Sequence, residues 1–351
     1  MPLLPLLVAL CLSACLDSAP ENTAGFWSVP QSEVLDGGPG KDGIPAVDAP
    51  QFYQDASGLV MADDELVVAF RFGNDVRAYP HQVLDYHEVV NDTFNNTEVV
   101  ISYCPLTGSS MVWQGEAVSS NQSFGVSGLL YNSNLILYDR ATNSHWSQML
   151  MQSINGTRIH QIATQLVSSE MSWGTWKKLY PSKPVLNFNT GFSRPYGRYP
   201  YGSYKDSDAT IFPANNSNDE RFSAKQRVLG VKVLESFKAY SMANFSSDGI
   251  TVIADTIGGE PLTVWGSQNL NIAVVFNRVL SDGSLLSFSA LAPQAFPALV
   301  TDDEGNHWDV FGVAISGPRQ GQSLNQPFSF IAYWFAWAAF YPDTQVFEVD
   351  Q

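Results

Sequence analysis

The chain repeats itself, and a duplicated unit restricts the fold more than any single motif can. Val76-Arg77-Ala78-Tyr79 matches Phe237-Lys238-Ala239-Tyr240. Asn91-Asp92-Thr93, with Asn95-Asn96 after it, matches Ala254-Asp255-Thr256, with Gly258-Gly259 after it. Both small-residue pairs suit a tight hairpin turn, and an apolar strand follows each. Asn143-Ser144-His145-Trp146 matches Gly305-Asn306-His307-Trp308. Trp173-Gly174-Thr175-Trp176, running on to Tyr180-Pro181, matches Trp334-Phe335-Ala336-Trp337, running on to Tyr341-Pro342. The expected fold is therefore α+β, mainly β: two tandem copies of a hairpin-rich unit, each closed by one helix and a short strand. The helices are expected near 169–179 and 328–340, each ended by Tyr-Pro, because proline cannot continue a helix. The closing strands are expected at 185–188 and 345–349. The second helix is apolar all round, but its length of about thirteen residues falls short of the roughly 20 needed to cross a bilayer. It reads as a buried core helix at the contact between the copies.

This layout puts the first copy at 51–192 and the second at 226–351. The connector at 193–225 opens on an aromatic patch containing Tyr196, Tyr199, Tyr201 and Tyr204. These tyrosines suit either packing over an interface or a ligand-contacting rim, since each buries area while keeping a polar tip. Ahead of the first copy, residues 3–12 form an apolar run of signal-peptide length. The run ends in Leu12-Ser13-Ala14-Cys15, which has the form of a bacterial lipobox, although no Lys or Arg precedes it. A lipoprotein signal peptide at 1–14 and a lipid on Cys15 are expected. They imply export to the cell envelope, with the protein anchored to the periplasmic or extracellular face of a membrane. Residues 15–50, rich in Gly, Pro, Ser and Asp, read as a tether and extended lead-in without a packed element. The formal net charge of −16 over 351 residues argues against nucleic acid as a partner, because phosphate binding needs clustered Lys and Arg.

The chemistry is expected in the first copy. Val99-Val100-Ile101-Ser102-Tyr103-Cys104 reads as a buried strand that breaks at Pro105. Removal of Cys11 with the leader and lipidation of Cys15 leave Cys104 as the one free thiol. Aligned through Asp92 and Asp255, Cys104 falls opposite Ser267, His87 opposite Ile250, and His81 near Met242. The reactive side chains are thus absent from the second copy, whereas His145 and His307 both persist and read as structural. His87 lies eight positions before Asn95 and Cys104 eight after Asn96, which in a two-residue hairpin sets them across from each other.

Three readings follow. Cys104, His87 and Met111, or Met149 and Met151 in its place, are soft ligands suited to copper, although no C-x-x-C or H-x-x-x-H spacing supports a metal site. Alternatively Cys104 is a nucleophile, His87 its base and Asp92 or Asp85 the orienting carboxylate. The ordinary thiol pKa of about 8.5 would then need lowering. In the third reading the protein is a non-catalytic binding or scaffold lipoprotein, with Cys104 buried as free cysteines tend to be.

Tyr103-Cys104-Pro105-Leu106-Thr107-Gly108-Ser109, the run Phe124-Gly125-Val126-Ser127-Gly128-Leu129-Leu130-Tyr131-Asn132-Ser133-Asn134-Leu135, then Tyr138-Asp139-Arg140 and Ser144-x-Trp146-Ser147-Gln148 resemble the prokaryotic family known as domain of unknown function 3179. The resemblance runs from about Lys41 to the C-terminus. It implies an exported, often lipid-anchored protein and supplies no activity. Thr107 stands where a second cysteine can occur in this family, so no dithiol forms within the loop.

Overall fold

Runs of β-branched and aromatic residues broken by two-residue turns favour a succession of hairpins. The computed structural model, which describes residues 25–114 and 123–348, is built from them. The protein is mainly β, with three short α-helices among the described residues: α1 (His81–His87), α2 (Trp173–Leu179) and α3 (Trp334–Phe340). The expected leader and Cys15 lie outside the described residues. No helix among those described is long and apolar enough to cross a membrane.

The N-terminal half holds three sheets. In the first, the hairpin Leu66–Phe72 and Asp75–Pro80 is flanked by Ser168–Ser172 on one side and by Val185–Leu186, running parallel, on the other. The second is the meander Val89–Phe94, Thr97–Cys104 and Ser109–Gln114. The third runs Phe124–Tyr131, Asn134–Asp139, His145–Ser147, Gln152–Asn155. The C-terminal half places its strands in a similar order. Arg227–Val233 and Ser236–Ser241 are flanked by Phe328–Tyr333 and by the parallel Gln345–Val346. A meander of Thr251–Ile257, Glu260–Ser267 and Ile272–Asn277 follows, then Phe288–Ala290, Val300–Asp302, His307–Trp308 and Ala314–Ser316.

Two expectations change. The segments read as helices near 169–179 and 328–340 begin as strands, with Glu170 paired to Val68 and Ile331 to Leu229. Helix begins only at Trp173 and Trp334, and in α2 the Ser172 side chain accepts a hydrogen bond from the Thr175 N–H, as an N-cap does. The lead-in is also not free of packed structure. Val34–Asp36 pairs with the strand edge at Leu129, Leu130 and Tyr131, which covers an otherwise open edge, and Ala46 and Val47 are buried.

The halves pack reciprocally. Helix α3 joins the core around Trp113, Phe124 and Trp146 of the N-terminal half. Tyr341, next to α3, donates its hydroxyl to the Met149 carbonyl at 3.0 Å. Helix α2 joins Trp265, Phe276 and Trp308 of the C-terminal half, and Thr175 donates to the Leu270 carbonyl at 2.9 Å. Helix α2 also packs on its own strands Leu66–Phe72 and Ser168–Ser172, and α3 on Arg227–Val233 and Phe328–Tyr333, so each lies buried between its own sheet and the opposite half.

Candidate functional site

The turn after Phe94 is the one expected: Asn95 and Asn96 both take positive φ, 49° and 68°, as a two-residue hairpin turn requires. The register also holds, with Val89 opposite Ser102 and the Tyr103 N–H donating to the Glu88 carbonyl at 2.8 Å. One step further the expected pairing fails. Glu88 adopts a left-handed conformation and caps α1, so His87 belongs to a helix rather than to the opposing strand. His87 Nδ1 lies 2.7 Å from the Pro45 carbonyl and Nε2 lies 2.6 Å from the Tyr196 hydroxyl. A carbonyl only accepts, so Nδ1 carries the proton and Nε2 accepts from Tyr196. Both nitrogens are occupied, and no hydrogen bond joins His87 to Cys104 among the described residues.

Cys104 is 1 % exposed in an apolar cluster that includes Met111, Met149 and Met151. Burial, reinforced by Glu88, pushes its thiol up to about 11, the opposite of what a nucleophile needs. Asp92 is committed elsewhere: it accepts from Arg77 at 2.8 Å and from the Tyr79 hydroxyl at 2.5 Å. Asp255 does the same with Lys238 and Tyr240, at 2.6 Å each. Among the described residues no group of three or more His, Cys, Asp or Glu side chains could hold a metal ion. Of the copper ligands drawn from the sequence, Cys104 and Met111 share one apolar cluster, whereas both ring nitrogens of His87 face Pro45 and Tyr196.

The side chains that do converge lie on the other face of the same hairpin. Pro80 ends its strand and leads into α1. His81, Asp85 and the capping Glu88 then follow at i, i+4 and i+7, the spacing that puts side chains on one helix face. His81 and Asp85 line a cavity of about 190 Å³ at the junction of the halves. The N-terminal half also contributes Tyr103, Gly108 and Glu170, the connector Tyr199 and Lys205, and the C-terminal half Arg227, Asn271 and Tyr333. Arg227 reaches across to Glu170 and to Asn271, so the cavity exists only where both halves meet.

Its electrostatics are set by burial. His81 is 6 % exposed, with its ring 4.1 Å from that of Tyr103 between centroids. Burial pushes its imidazole down to about 3, with Asp85 opposing and Arg227 assisting. Its Nε2 lies 3.1 Å from Glu170 Oε2 but makes no aligned hydrogen bond. Asp85 Oδ1 is buried without a partner, and burial pushes the carboxyl up to about 7. Two buried polar atoms without partners are costly features in a folded protein, and here both belong to residues lining one cavity.

The loop after Cys104 forms part of the wall. Gly108 has φ 58°, and a Cβ there would sit 2.8 Å from the Tyr333 ring. The Thr107 carbonyl accepts the Tyr333 N–H at 2.8 Å. Behind the loop, Asn134 donates to Thr107 Oγ1 at 2.9 Å and to Gln148 Oε1 at 2.7 Å, and Ser109 donates to Gln148 Oε1 at 2.9 Å. Residues from three separate stretches of the sequence meet in that buried network.

The family model described as protein of unknown function (DUF3179) matches residues 41–344. The chain belongs to this family. No curated protein and no solved structure matches it. The run Tyr103–Ser109 has a structural use in this chain, since Thr107, Ser109, Asn134 and Gln148 fix the loop that meets Tyr333. Trp146 and Trp308 serve their own sheets in the same way, donating to Asp139 and Asp302 at 2.9 Å each.

Sequence reasoning missed His81 as a site residue, missed Arg227 altogether, and weighed Asp85 only as an orienting group for His87. The legible signal was the His81–Asp85 spacing directly after Pro80; at the matching place the C-terminal half has only the 3-10 turn Met242–Asn244.

Proposed function

We propose that this chain is an exported, lipid-anchored binding protein whose two halves, copies of one unit, hold a small organic cation in the cavity between them. The observation that carries this reading is the pair of unpartnered buried atoms, His81 Nε2 and Asp85 Oδ1, on residues that line one cavity. The charge of the lining selects the ligand. Four carboxylates (Asp64, Glu65, Asp85, Glu170) face two cations (Lys205, Arg227), and Arg227 is already paired with Glu170. Tyr103, Tyr199 and Tyr333 add aromatic surface of the kind that attracts ammonium groups. A cation entering beside Asp85 gives that carboxyl the counter-charge it lacks.

The duplication draws support from the matching strand orders and from the Tyr79–Asp92 and Tyr240–Asp255 bonds at matching positions. The anchor draws support from Leu12-Ser13-Ala14-Cys15 alone, and mass analysis of the N-terminal peptide tests it: a diacylglyceryl group on Cys15 is expected, and an unmodified leader would contradict export by this route. The ligand class is tested by calorimetric titration of the soluble chain with ethylammonium and tetramethylammonium, with acetate and propanamide as anionic and neutral controls. The cations are expected to bind, and Asp85→Asn to weaken them at least tenfold. Equal binding of acetate or propanamide would contradict the assignment.

A further inference from the structure

Helix α1 ends against a second cavity that the junction site does not use. This space, about 180 Å³, lies between the lead-in at Gly37, Pro39 and Ile44, the hairpin at Val126–Leu135, and the connector at Tyr201 and Phe212. Its walls are mostly aliphatic. Among the described residues Glu88 is the one charged residue that lines it, 5 % exposed, and its carboxyl makes no hydrogen bond to any of them. Tyr201, on the same wall, also has no partner for its hydroxyl among the described residues. An unpartnered carboxyl in an aliphatic pocket is costly to maintain, and the backbone does not demand one there, because the cap at Glu88 is made by its φ and its N–H.

We propose that this cavity is a second binding site, for a small aliphatic molecule carrying one uncharged head that both donates and accepts hydrogen bonds, such as a primary amide, with Glu88 pairing the head. The choice of an uncharged head follows from the surroundings. Aliphatic walls cannot solvate an ion pair, and in such places desolvation often exceeds the Coulomb gain. The nearby Asp85 further disfavours a second negative charge, and burial with Asp85 pushes Glu88 up to about 8. Near neutral pH Glu88 is therefore mainly the carboxylic acid, whose O–H donates and whose carbonyl oxygen accepts. An amide offers the complementary pair.

The proposal is tested on the full soluble chain by titration with isovaleramide and, in parallel, isopentylamine. For the wild type, isovaleramide is expected to bind at pH 7 and to weaken more than tenfold by pH 9.5, as Glu88 ionises. Glu88→Gln keeps an uncharged donor–acceptor head, so it should retain isovaleramide within about threefold of the wild type and lose the pH dependence. Glu88→Leu should abolish binding. Tighter binding of isopentylamine than of isovaleramide, binding that ignores pH in the wild type, or no binding of either probe would overturn the proposal. The wild-type pH profile decides the matter even where a variant fails to fold.

Discussion

Cys104 shows how a residue can be conspicuous in sequence and closed off in structure. Its place at a strand end, before a Pro-Leu-Thr-Gly loop, marks it as a candidate nucleophile. Burial gives it the opposite property. With the thiol pushed up to about 11, roughly one molecule in a thousand carries a thiolate at pH 8. Iodoacetamide at that pH should leave the native soluble chain, begun after Cys15, unmodified over hours and label one thiol in denaturant, as counted by mass spectrometry. Rapid native labelling would restore the thiol-enzyme reading. The buried polar groups that line cavities are instead on His81, Asp85 and Glu88. Their helix spans only seven residues between two strands, too short for apolar periodicity to reveal it. The hairpin register, extended through Glu88 to His87, runs one residue past the point where the ladder ends.

Single elements were legible in type and less so in their limits. The turns at Asn95-Asn96 and Gly258-Gly259 were readable because only a few residue types tolerate positive φ at both positions. The strand-to-helix changes at Trp173 and Trp334 were not, because an apolar run buried on all sides looks the same as strand or helix. The loop from Pro105 to Gly108 is where local and long-range demands meet. Gly108 needs both a left-handed conformation and the absence of a side chain beside Tyr333. Gly108→Ala should therefore lower unfolding free energy by about 2 kcal/mol, through backbone strain and overpacking together. Urea denaturation checks this, and an unchanged midpoint would mean that Tyr333 moves aside without cost.

At the scale of the whole molecule, two halves with matching strand orders meet at a shared junction, each helix lies between its own sheet and the other half, and the buried ion pairs Arg71–Asp309 and Glu170–Arg227 span it. The sequence displayed matching segments but not this arrangement, because similarity between segments carries no record of which half each helix packs against. Glu170 and Arg227 lie on strands from different halves and could be paired only once the halves were docked. Glu170→Gln should cost about 3 kcal/mol by stranding the Arg227 charge, and Glu170→Gln with Arg227→Met should recover most of it. A double variant no better than the single one would show that the pair itself holds the halves together. Ligand binding is the sharper question. Below pH 7 the Asp85 carboxyl is mainly protonated and offers a cation no counter-charge; above it, the carboxylate does. The decisive experiment is the affinity of the soluble chain for ethylammonium from pH 5 to pH 9. It should rise as pH climbs through about 7 and then level off, with Asp85→Asn weak and flat throughout. A wild-type affinity that is absent, independent of pH, or falling over that range would contradict a cation site at the junction.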